Sequence, residues 1–126
     1  MRQFLVSFTL SIALISLTGC LSNTTKPEAS IAQHKGHLIL GKDMQAFKRC
    51  GSTPEQTLWL KTDEKKLAYL RNAYEQITIE PYEEVYVELL GRPAGPLECQ
   101  ACTAYKGSFE LQETLIIRAP QARDCD

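Results

Sequence analysis

One change of hydropathy period constrains this chain more than anything else in it. The stretch TDEKKLAYLRNAYEQI, residues 62–77, places Leu67, Leu70, Tyr74 and Ile77 on one face of a 3.6-residue period, so it reads as an amphipathic helix. Thr62 or Asp63 can cap it, and the acidic residues that follow suit the positive end of the helix. On both sides the apolar pattern is short and strand-like. Before the helix come Leu38–Leu40, Ala46–Phe47 and Leu58–Leu60, with Gly41 and the turn Gly51-Ser52-Thr53-Pro54 between them. After it, YEEVYVELLG alternates, with Val85, Val87 and Leu89 on one face. ETLIIRA is the last apolar run, and GSFEL just before it is read as its companion, making 107–118 a hairpin. The order β-β-β-α-β-β predicts a mainly β fold: a small OB-fold-like, five-stranded Greek-key barrel with one helix between strands three and four.

The N-terminus sets the compartment. Arg2 precedes an apolar run from Phe4 to Leu17, too short for a comfortable membrane span and read as a signal peptide. Its end, Leu17-Thr18-Gly19-Cys20, resembles the bacterial lipobox, which implies diacylglyceryl transfer to the Cys20 thiol and cleavage just before it. Leu21 follows instead of the aspartate that resembles an inner-membrane retention signal, so the expected location is the outer membrane, lipid-anchored on its periplasmic face. The implied organisation is a signal peptide over 1–19, the lipidated Cys20 with a polar tether to residue 35, and a folded domain over 36–126. About 90 residues are enough for one small domain with a modest core. Without Arg2 the formal charge moves from −1 to −2, and no basic stripe stands out. Nucleic acid is therefore not an expected partner; the expected partners are the membrane, through the anchor, and an envelope protein.

The ordered residues of the domain resemble the C-terminal OB domain of NlpE-type outer-membrane lipoproteins. The shared features are Gly36 opening strand one, the run MQAFKRCG with Phe47 three residues before Cys50, and Trp59 in the next strand. A helix with Leu67 and Tyr74 follows, then PYEEVYVELLGR and a terminal cysteine, Cys125, after IIRAPQARD. The resemblance covers roughly residues 34–126. It implies a disulfide from Cys50 to Cys125 that clips the end of strand two to the C-terminus, and a role in envelope stress or surface sensing. The chain departs from the family in lacking the additional N-terminal barrel that carries a Cys-x-x-Cys of its own.

With Cys20 taken by lipid, four cysteines remain, which allow three pairings, and an oxidising periplasm favours bonding all of them. The resemblance selects 50–125 and leaves Cys99–Cys102. Chain entropy assigns about 4.5 kcal/mol to the long loop and about 2 kcal/mol to the short one. The short pair thus invites a chemical reading. The first alternative function is a metal-binding lipoprotein, in which His34 and His37 join Cys99 and Cys102 as a Cys₂His₂ set for zinc or a soft site for copper. Strand one should run antiparallel to strand four, which would bring its start towards the cysteine loop; the competing reading leaves both histidines solvated on the tether. Thiol–disulfide exchange ranks behind it, because TAYKGS after Cys102 is a poor helix start and only Lys106 supplies nearby positive charge. Trp59 reads as core or barrel-mouth packing. Glu83 and Glu84, adjacent in a strand, point to opposite faces and make no acid/base pair. With no catalytic constellation and no cofactor motif, the expected function is a non-enzymatic binding or sensing module.

Overall fold

The computed structural model describes Gly19 and residues 27–126. Residues 1–18 of the expected signal peptide, Cys20 and residues 21–26 of the expected tether lie outside the described residues. Among the described residues, five strands and one α-helix follow in the order β1 (Ala32–Leu40), β2 (Gln45–Arg49), β3 (Leu58–Lys61), α1 (Glu64–Ile77), β4 (Val85–Ala94) and β5 (Ser108–Arg118), with a 3₁₀ turn at Pro54–Gln56. The strands close into a barrel in the order β1-β2-β3-β5-β4, β4 returning to β1. Every pairing is antiparallel except β3 with β5. A parallel pair needs a long crossover, and α1 together with β4 supplies it. This is the small OB-like barrel that the element order predicts.

Alternation decides which side of each strand meets the core. Leu38 and Leu40, Phe47, Leu60, Val85, Val87 and Leu89, and Phe109 and Leu111 point inward and are buried. The helix adds Leu70 and Tyr74 to the same cluster. It starts where the Asp63 carboxylate accepts the Lys66 amide at 2.8 Å. Tyr74 carries its hydroxyl to the Glu83 carbonyl, tying the helix to the chain that leads into β4. Phe47 and Phe109 meet edge to face inside the barrel, with centroids 4.8 Å apart.

Two sequence expectations are corrected here. The expected hairpin over 107–118 is one strand, Ser108–Arg118. Gln112, which separates the two expected runs, and Glu113 are exposed and lie where β5 passes the register shifts of β4 at Glu88/Leu89 and Leu90/Gly91. A bulge bends a strand without ending it, so β5 stays paired with β4 from Ser108 to Arg118, while Ser108–Glu110 pair with β3 on their other edge. The tether expected to reach residue 35 also ends earlier, since β1 begins at Ala32. Residues 32–35 carry no apolar alternation, but their backbone pairs in register with Gly91, Leu90, Leu89 and Glu88 of β4. Glu88 also meets their side chains, accepting a hydrogen bond from Gln33 at 2.6 Å and lying 3.9 Å from the Lys35 ammonium. Among the described residues, no helix is long and apolar enough to cross a membrane.

Candidate functional site

The four cysteines of the barrel are bonded as Cys50–Cys125 and Cys99–Cys102. The first bond joins the end of β2 to the C-terminal segment, and the surrounding side chains show that more than sulfur holds that segment down. Arg118 lies over the Tyr86 ring, its guanidinium carbon 4.1 Å from the centroid, and donates to the Asp124 carboxylate at 2.6 Å. That hydrogen bond is the main reason the Asp124 carboxyl is held below its usual range. The His37 ring sits between Glu84, at 3.7 Å, and Asp124, at 3.9 Å. The Cys50–Cys125 clip is the one the resemblance implies; the side-chain contacts beside it escaped sequence reasoning, because an arginine and an aspartate six residues apart carry no signal of mutual contact.

The histidines are therefore strand residues and not part of a solvated tether. His34 faces the inside of the barrel mouth, edge-on to Phe109 with centroids 5.1 Å apart. Partial burial, and secondarily the positive charge of Arg49, lower its pKa from the ordinary histidine value. His37 lies an odd number of residues away and so faces the outside, beside Tyr86. β1 does start beside the end of β4, with Ala32 opposite Gly91, but His34 and His37 pair further along, with Leu89 and Tyr86. The strand's alternation splits them between two faces, and the thiols of Cys99 and Cys102 are spent on each other. The proposed Cys₂His₂ set is not assembled, and no group of three or more His, Cys, Asp or Glu side chains among the described residues is placed to hold a metal ion. Glu83 and Glu84 also differ from expectation in lying just before β4. Glu83 accepts the Ile79 amide at 3.1 Å and so shapes the turn, while Glu84 faces His37.

The most chemically distinctive part of the molecule is the loop between β4 and β5, residues 95–107, which carries Cys99 and Cys102. Buried Ser108 closes its base by donating to the Gly95 carbonyl at 2.7 Å. The Trp59 amide donates to Gly107, and Tyr105 meets the Trp59 ring edge-on at 5.5 Å. Trp59 is thus neither core nor mouth. It stands on the outer face of β3, where the loop folds over it. Between these anchors the chain makes a tight turn, with the amides of Cys102 and Thr103 both donating to the Cys99 carbonyl at 3.2 Å. The Cys102 amide also points at the Cys99 sulfur, 3.2 Å away. Cys99 is exposed, whereas Cys102 is fully buried with its sulfur 3.3 Å from the Leu97 carbonyl and 3.4 Å from that of Cys99.

Fold and site together define a small disulfide-closed OB-like barrel with an external Cys-x-x-Cys loop. Neither a scan against protein-family models nor searches of the curated proteins and of the solved structures find a match to this chain.

Proposed function

We propose that this chain is a lipid-anchored lipoprotein of the outer membrane, facing the periplasm, whose barrel serves as a non-enzymatic binding or sensing module for an envelope protein. The observation that carries the reading is the position of Cys20. It closes the run Leu17-Thr18-Gly19-Cys20 behind a short apolar segment, and among the described residues the first strand begins at Ala32. The intervening residues 21–31 extend to at most about 40 Å, so an acylated Cys20 keeps the barrel close to the bilayer. Two further features support the same compartment: all four barrel cysteines are disulfide-bonded, and such bonds persist in oxidising surroundings, while the resemblance to NlpE-type lipoproteins points to the envelope. The experiment is Cys20→Ser in cells that express the full chain. The unchanged protein should take up labelled fatty acid and sediment with outer membrane, while the variant should remain an unacylated precursor or appear in the soluble fraction. Normal processing and outer-membrane fractionation of the variant would overturn the proposal.

A further inference from the structure

We propose that Cys99–Cys102 is a dithiol–disulfide exchange site, with Cys99 the attacked and attacking sulfur and Cys102 the resolving one, and that its partner is a peptide or protein bearing two thiols. The assignment rests on the asymmetry of the pair. Exchange proceeds by in-line attack of a thiolate on one sulfur of the disulfide, so the sulfur that can be reached is the one attacked. Cys99 is exposed and Cys102 is fully buried, which leaves only Cys99 open to a partner. The turn then treats the two sulfurs differently once they are reduced. The Cys102 amide, 3.2 Å from the Cys99 sulfur, donates to negative charge there. The Cys102 sulfur faces carbonyl oxygens of Leu97 and Cys99, which accept an S–H and so favour the protonated thiol. One sulfur is set up as the nucleophile and the other as the group that waits. The objection that TAYKGS is a poor helix start loses its weight, since the turn itself aims a backbone amide at Cys99 without a helix.

The step balances without a further reagent. A thiolate of the partner attacks Cys99 Sγ, forming a mixed disulfide and breaking the Cys99–Cys102 bond; Cys102 leaves as thiolate and takes up the proton that the attacking thiol released. The partner's second thiolate then attacks its own sulfur in the mixed disulfide and displaces the Cys99 thiolate. The partner has lost two electrons and gained a disulfide, and the pair has gained two electrons and is reduced. The loop is held at its base by Ser108 and at its far side by Tyr105 on Trp59, so these contacts do not depend on the short disulfide. The barrel should therefore keep its fold in both states. The site lies outside the core and alongside the binding role proposed above, and it does not depend on the lipid anchor.

The test uses the full processed protein with dithiothreitol and then glutathione as the probes. With one equivalent of dithiothreitol, Cys99–Cys102 should open while Cys50–Cys125 stays closed. A limiting alkylating agent should then modify Cys99 at least about tenfold faster than Cys102, as its exposure and charge imply. In oxidised glutathione, Cys102→Ser should accumulate a mixed disulfide at Cys99, and Cys99→Ser should accumulate little at Cys102, with circular dichroism confirming the barrel in each. A model dithiol peptide should be oxidised stoichiometrically by the unchanged protein and not by either variant. Equal labelling of the two cysteines, equal capture of glutathione by the two variants, or opening of the pair only on unfolding would each overturn the assignment. None of these readouts involves Cys20, so failure here and failure of the lipoprotein reading are separable.

Discussion

His34 shows how one residue type acquires a role from its neighbours. A histidine beside a polar tether invites a metal reading, but on the inner face of β1 it packs on Phe109 and shares the mouth with Arg49. Burial and the like charge both disfavour the imidazolium, so the folded protein binds its proton less tightly than the unfolded chain does. The sign follows by linkage. Stabilisation from the neutral ring is fully present above the ordinary histidine value of about 6.5 and is lost as pH falls from there through the depressed folded value. His34→Gln should flatten the stability curve in that window, measured by urea unfolding at a series of pH values. An unchanged pH dependence would mean that other groups dominate. Asp124 follows the same logic at lower pH, its carboxylate favoured by Arg118 and its contribution lost as acid protonates it.

At the scale of elements, two strands owe their close approach to missing side chains. A Cβ on Gly36, in the middle of β1, would run into the Lys48 carbonyl of β2 and the Phe47 ring. A Cβ on Gly91 of β4 would meet the Glu110 carbonyl of β5 and the Phe109 ring, beside the register shift that bends this pair. The obstacle at both sites is neighbouring backbone, which cannot swing aside as a flexible side chain can. Gly91→Ala should destabilise the barrel by about 1–3 kcal/mol, the range for overpacking, and lower the melting temperature with little change at Gly95, where an added methyl meets nothing. Equal melting temperatures for Gly91→Ala and Gly95→Ala would show that β4 and β5 can part without loss.

For the molecule as a whole, the two disulfides have different jobs. Cys50–Cys125 closes a loop with a sequence separation of 75, whereas Cys99–Cys102 closes one of 3. On chain entropy alone the long bridge contributes about 4.5 kcal/mol and the short one about 2 kcal/mol. Cys50→Ser or Cys125→Ser should therefore lower thermal stability clearly more than Cys99→Ser. The Arg118–Asp124 and Arg118–Tyr86 contacts will retain part of the C-terminal docking. A calorimetric comparison of the three variants checks the order, and an equal loss in all three would show that the short bridge constrains more than its own turn.

Local pattern was enough for the inward face of β4 and for the helix, because a period of two or of 3.6 is written in consecutive residues, but not for β5, where Leu115 and Ile116 of the apolar run are exposed. Val85, Val87 and Leu89, and Leu70 with Tyr74, are buried as their spacing requires. Element order was enough for an OB-like barrel. What the sequence left open depended on partners distant along the chain. Residues 32–35 become strand only because β4 offers backbone groups opposite them, and β5 continues through Gln112-Glu113 only because a bulge in its pairing with β4 accommodates the bend. The placement of His34 inside and His37 outside was implicit in alternation, but only once β1 was known to include both. The unequal exposure of Cys99 and Cys102 was not implicit in any spacing. The two sulfurs lie in a loop that Tyr105 anchors on Trp59, and burial in the folded chain is a property that no local pattern can carry.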